Sequence, residues 1–143
     1  MTQAHAREYI FGYTIVNDVS GRDVQFTDNQ ITLGKGFDTF CPMGPAIVLQ
    51  DEIPDPMQLH VASYVNGARM QYSSTSEMLF SVDKIIEFLS AHVTLYPGDL
   101  VTTGTPAGVG CFRTPPVYLK SGDVVEVEVD KIGRLTNPVE GRW

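Results

Sequence analysis

Hydrophobic positions along this chain fall into short runs broken by Gly, Pro and Asn, with one longer stretch at helical spacing. Gln3–Tyr9 is polar and helix-compatible. Phe11, Tyr13, Ile15 and Val16 then climb into a first strand that stops at Asn17-Asp18. The mixed segment Phe26 to Leu33 reads as loop. Pro42 and Pro45 break any regular helix, so Ala46-Ile47-Val48-Leu49 reads as a short buried strand. Leu59–Val65 and Ala68–Tyr72 alternate on either side of Asn66-Gly67. Both positions of a type I′ turn need positive φ, and this dipeptide accepts it, so a hairpin is predicted. Val82, Ile85, Ile86, Leu89 and Val93 repeat along one helix face behind Ser81, an N-cap residue. Leu100–Thr103 reads as a buried strand running into the loop Gly104–Gly110. Val124–Asp130 alternates apolar and acidic residues, and Lys131-Ile132-Gly133 turns it back into Arg134–Asn137. Many short strands, tight turns and one helix make this a β-rich α+β domain.

The 143 residues suit a single domain with a real core. A net charge of −7 argues against nucleic acid or an anionic membrane as the main partner. It leaves room for a small anion held by a local cationic pocket. No apolar run reaches the ~20 residues a bilayer demands. The first residues carry no signal-peptide pattern, so a cytoplasmic protein is expected. Two cysteines, Cys41 and Cys111, are too few for a disulfide framework and lack metal-ligand spacing; they read as reduced thiols.

Candidate chemistry concentrates where the first strand ends. Asp18, Ser20, Arg22, Asp23 and Gln25 crowd into eight residues, at the kind of strand end that delivers groups to a pocket mouth. Lys35 stands between two glycines, which can let backbone approach a ligand while the lysine supplies a compact charge. The Gly/Thr-rich loop after Thr103 can present N–H and hydroxyl donors to an anion, although it matches no phosphate-binding fingerprint. The acids of residues 50–56 read as solvated loop, and Glu126 and Glu128 as the wet face of a strand. His60 and His92 read as structural.

With the pieces in this order, the chain resembles the fumarylacetoacetate hydrolase family. The likeness rests on Asn17-Asp18-Val19-Ser20-Gly21-Arg22-Asp23 together with Thr103-Gly104-Thr105-Pro106-Ala107-Gly108-Val109-Gly110. It extends through Gly34–Gly44, the Val65-Asn66-Gly67 hairpin and Leu119–Asp130. The bacterial branch acting on hydroxymuconate-type dioates and acylpyruvates is the nearest in pattern. The resemblance implies a mixed β-sandwich roll, a homodimer, a 2-oxo acid substrate and a Mg²⁺ or Mn²⁺ ion. It also implies roles: Asp18 as metal ligand, Arg22 and Gln25 as substrate contacts, Lys35 as the active-site lysine and Thr105 as the substrate-carboxylate threonine.

One departure is as informative as the match. The family pairs its Asp with a Glu-x-Glu further upstream, whereas Glu8 is the one acid before Asp18 here and His5 matches no family position. Residues 1–143 are therefore expected to be a single catalytic domain without its N-terminal part. Three functions stay open at this stage. One is metal-assisted hydrolysis or isomerisation of 2-oxo or 2-hydroxydienoate acids through a stabilised enolate. The others are a non-catalytic subunit and a metal-free module that binds small acids.

Overall fold

The computed structural model describes residues 1–27 and 31–141. Its strands form two antiparallel sheets. β1 (Gly12–Val16) pairs with β2 (Met43–Leu49), with Gly12 opposite Leu49 and Val16 opposite Met43 and a register shift between Tyr13 and Ile15. The second sheet contains β3 (His60–Val65), β4 (Ala68–Ser74), β5 (Val124–Val129) and β6 (Gly133–Pro138), in the order β4-β3-β5-β6. The helices are α1 (Arg22–Thr27), α2 (Ile31–Lys35) and α3 (Val82–His92), with short 3₁₀ turns between elements. The α+β class expected from the sequence is what the chain adopts.

The β3–β4 hairpin turns where the dipeptide dictates, with φ of 51° at Asn66 and 79° at Gly67. Asn66 also fastens this turn to β5. Its amide donates to Asp123 Oδ1 at 2.8 Å and its carbonyl oxygen accepts the Val124 N–H at 2.9 Å. A turn residue thus fixes the register of a strand distant in sequence. α3 begins at Ser81, whose hydroxyl accepts the Lys84 N–H at 3.2 Å and satisfies one orphan donor of the first turn. The helix packs on the opening 3₁₀ segment Gln3–Tyr9, where the Arg7 guanidinium donates to both Asp83 oxygens at 3.1 Å.

The core is small and lies between the two sheets. Ile15 of β1, Ile53, Leu59, Ile132 and Leu135 are buried together, with Tyr13, Val48, Val127 and Val129 against them. Glu126 and Glu128 lie on one face of β5, as alternation requires. Arg134 of the neighbouring strand grips both, at 3.0 and 2.7 Å, while lying over the ring of Tyr64. The acidic face is therefore tied up by a guanidinium. Both cysteines are free.

Three local expectations need correction. Leu100–Thr103 forms no strand, and Leu100 is half exposed. The segment pairs with no strand among the described residues, and an apolar run alone does not decide whether it will. The stretch Phe26 to Leu33, read as loop, holds the last two residues of α1 and the first three of α2, while Asp28, Asn29 and Gln30 lie outside the described residues. These helices have five or six residues and little intrinsic stability. Tertiary contacts hold them, beginning with the Gly21 N–H donating to the Gly34 carbonyl at 2.7 Å. Finally, the strand expected at Ala46–Leu49 starts earlier, at Met43, and is mostly exposed rather than buried.

His60 and Asp130 form the exposed end of the second sheet. Asp130 Oδ2 accepts from the His60 N–H at 3.0 Å and lies 2.9 Å from His60 Nδ1. These contacts, the backbone one foremost, hold the Asp130 carboxyl below its ordinary range. Asp123 is lowered likewise by the Asn66 amide and the Lys120 N–H. A depressed carboxylate lends stability above its unfolded-state pKa and loses that contribution as pH falls through the folded-state value. Urea midpoints should therefore hold steady from neutrality down to about pH 5 and fall below about pH 4. Asp130→Asn should flatten part of that fall. An acid limb identical in the variant and the parent would exclude the Asp130 contribution.

Candidate active site

Between β1 and β2 the chain makes a closed excursion. Its neck is pinned where the Asn17 N–H donates to the Pro42 carbonyl at 3.1 Å. Four of the five site residues expected from the sequence ride on it. Asp18 follows β1 directly, Arg22 opens α1, Gln25 lies one turn along that helix, and Lys35 ends α2. The excursion folds back on itself because Gly34 is small. A Cβ there would stand 2.7 Å from that of Gln25, so α2 could not otherwise press against α1. The glycines flanking Lys35 thus serve close packing, and neither has the positive φ that would mark conformational freedom.

Lys35 Nζ pairs with Asp18 Oδ2 and also donates to Ser20 Oγ at 3.2 Å. Arg22 donates to Gln25 Oε1 at 2.8 Å, so the two expected substrate contacts hold each other. The Arg22 guanidinium also lies over the rings of Phe26 and Phe112, 5.8 and 5.7 Å from their centroids. Cation–π attraction of this kind restrains a long side chain that would otherwise sweep through many rotamers. Phe112 comes from a 3₁₀ turn far along the chain (Gly110–Phe112), and nothing in its local sequence announces this contact.

An open cavity of about 1710 Å³ runs between β1, the four-stranded sheet and the loop through residues 95–110. Asp18, Ser20, Arg22 and Thr105 all line it, whereas Lys35 and Gln25 reach its rim through Asp18, Ser20 and Arg22. Thr105 sits exposed on the wall, where its hydroxyl accepts from Gln71 Nε2 of β4 at 2.8 Å. Sequence reasoning gave Gln71 no role, since it sits in an ordinary alternating strand 34 residues from its partner. Ser20, counted among the polar groups that follow the first strand but given no role of its own, braces Lys35 with its hydroxyl. The three histidines lie elsewhere: His5 on Glu8, His60 on Asp130 and His92 on the Phe88 carbonyl.

A match to the family described as fumarylacetoacetate (FAA) hydrolase, C-terminal, spans residues 1–140. The chain belongs to the fumarylacetoacetate hydrolase family. Among curated relatives, the mitochondrial oxaloacetate tautomerase fahd2 of Xenopus laevis is 52% identical over 136 residues, covering 94% of this chain and 43% of that protein. The solved fumarylacetoacetate hydrolase of psychrophilic Exiguobacterium antarcticum superposes with a TM-score of 0.96 at 46% identity, covering 99% of this chain and 51% of that one. The 2-hydroxyhepta-2,4-diene-1,7-dioate isomerase of Mycobacterium marinum gives 0.88 at 48% identity, covering 99% and 52%. This fumarylacetoacetate hydrolase family chain thus spans about half the length of the relatives it matches.

Members of the family generally bind a divalent metal. A Mg²⁺ ion needs several oxygen ligands in near-octahedral array and dehydrates reluctantly. Among the described residues no group of three His, Cys, Asp or Glu could hold one. Asp18 offers a single carboxylate, already engaged by Lys35. The donors present here do not fit a Mg²⁺ site by themselves, and a role for Asp18 as ligand requires further carboxylates beside it. Millimolar Mg²⁺ should accordingly leave the melting temperature of this chain unchanged. A rise that disappears in Asp18→Ala would show instead that the site is completed.

Proposed function

We propose that this chain carries a site for enolate chemistry on a 2-oxo dicarboxylic acid, interconverting keto and enol forms or shifting a double bond. The observation that carries the reading is the convergence on one cavity of Arg22, Thr105 and the Lys35–Asp18 pair. The names of the relatives supply the substrate class. An oxaloacetate tautomerase and a heptadienedioate isomerase both move a proton along a 2-oxo or 2-hydroxy-ene diacid.

In this reading Arg22 meets a substrate carboxylate with its forked N–H groups, and Thr105 donates its hydroxyl to a carboxylate oxygen. The C3 proton passes to solvent water in the open cavity, which returns a proton in the next step; the C–H bond breaks and its electron pair is delocalised onto the C2 oxygen. The Lys35 ammonium, steadied by Asp18 and Ser20, stands at the rim to stabilise that oxyanion. Protonation on oxygen then gives the enol, and protonation on a distal carbon gives the isomeric keto acid. Atoms and charge balance without a co-reactant.

Hydrolysis of a C–C bond asks for more, because a water must be activated as nucleophile. No histidine lines the cavity among the described residues, and each is engaged elsewhere. This favours isomerisation over acylpyruvate hydrolysis. No helix among the described residues is long and apolar enough to cross a membrane.

A homodimer is part of the same proposal. Phe11, Leu79, Phe88 and Leu100 are 74%, 89%, 62% and 51% exposed, which is more apolar surface than a solitary domain usually shows to water. Sedimentation velocity at micromolar concentration should give twice the chain mass. A monomer at all concentrations would overturn the dimer.

For the activity itself, the purified protein should accelerate enol–keto exchange of oxaloacetate, followed by loss of enol absorbance. Lys35→Met should lower kcat by roughly 10²–10³-fold, the usual cost of removing one oxyanion-stabilising group. Thr105→Val should raise KM by about tenfold or more with kcat largely kept. Turnover by the parent no faster than by Lys35→Met would sink the proposal.

A further inference from the structure

Gln71 cannot be placed in two ways. Its side-chain nitrogen lies 2.7 Å from the Pro106 carbonyl oxygen, a group that only accepts, so the amide N–H must point there. The other end of the amide, Oε1, is then fixed toward Ser63 Oγ at 2.8 Å, and the serine hydroxyl must donate. The second hydrogen on Nε2 goes to Thr105 Oγ1 at 2.8 Å. An amide nitrogen cannot accept, so Thr105 must receive this bond, and its own proton is left to point elsewhere. Among the described residues Thr105 donates to no other group. Its hydroxyl lines the cavity.

The loop that carries Thr105 is held close enough for this to persist. Gly108 has φ of +106°, and a Cβ there would stand 2.4 Å from the Met70 carbonyl oxygen. The same carbonyl accepts from Arg113 Nη1 at 2.9 Å. The loop is therefore seated on β4 next to Gln71, with its backbone in contact with the residue before it.

We infer that Gln71, oriented by Ser63 and the Pro106 carbonyl, is a positioning residue that leaves the Thr105 hydroxyl proton uncommitted within the protein and available to an anionic oxygen in the cavity. The polarity runs one way, from Ser63 through Gln71 to Thr105 and then to the ligand. Each donor satisfied within the protein leaves the next one committed outward. The inference rests on the proposed 2-oxo acid site, and it adds why a threonine can discriminate for a carboxylate there. A hydroxyl whose proton went to a protein acceptor could only accept from a ligand; this one receives the Gln71 N–H on one lone pair and so keeps its proton for a carboxylate oxygen.

The test compares oxaloacetate kinetics in Gln71→Glu, Gln71→Met, Thr105→Val and Thr105→Ser. The carboxylate of Gln71→Glu accepts where the amide donated and draws the Thr105 proton inward. It should therefore raise KM about as much as Thr105→Val, on the order of 10–100-fold, with kcat largely kept. Gln71→Met loses the same protein contacts but leaves the Thr105 proton free, so its KM should rise distinctly less. Thr105→Ser keeps the hydroxyl and should stay near the parent. A loss of loop structure alone would make Gln71→Met as damaging as Gln71→Glu, and that result overturns the relay.

A turnover-independent readout keeps the two readings apart. The side-chain amide protons of Gln71 give two NMR signals, one of which should move in Thr105→Val. Unmoved signals together with a raised KM would overturn the relay and leave Thr105 as a carboxylate contact. A moved signal with unchanged KM would remove Thr105 from substrate binding, and the functional part of the inference with it.

Discussion

The candidate site depends on an ion pair between two residues of one excursion of the chain, 17 positions apart. Asp18 leaves β1 and Lys35 closes α2, and their side chains meet. The meeting keeps α2 folded back along α1, which is too short to stay helical alone. It also decides where the lysine charge lies. An exposed carboxylate beside a flexible ammonium contributes little to stability, so the value of this pair is positional rather than energetic. Ser20 and the Gly21–Gly34 backbone bond reinforce it, and none of the three would hold the arrangement alone.

Around that pair the site has two separable parts. The excursion between β1 and β2 carries Asp18, Arg22, Gln25 and Lys35, with its neck pinned by Asn17 and Pro42. Thr105 belongs to a loop seated on β4 and governed by Gln71. Phe112 connects the parts, because its ring lies beneath the Arg22 guanidinium while its own turn continues the Thr105 loop. Against a protein-wide charge of −7, local packing brings two cations, Arg22 and Lys35, beside one cavity.

What the sequence revealed follows the range of the forces involved. The Asn66-Gly67 turn and the Ser81 cap were legible because each is settled by residues a few positions apart. The family motifs were legible for a different reason, as ordered strings that a resemblance can match. Of the candidate residues they named, Asp18, Arg22 and Thr105 line one cavity and Gln25 and Lys35 bond to residues that do, while their roles rest on the proposal. Leu100–Thr103 misled because an apolar run says nothing about whether a neighbouring edge exists. α1 and α2 were missed because tertiary contact, not propensity, makes them helical. Gln71 and Phe112 were invisible in principle. Their importance comes from partners 34 and 90 residues away, and no local pattern encodes a distance of that kind.

The pinned neck of the excursion has a consequence for selectivity. Four residues anchored on one closed loop would keep their mutual spacing if the loop shifted as a body, and so would Thr105 on the loop that Gln71 of β4 holds. The quantity left free is the gap between the two bodies. Under the proposed diacid reading, that gap would act as a ruler for the number of carbons between the two carboxylates. Substrate length would then be read by the seating of one body against the other, with the reactive groups in each left unchanged.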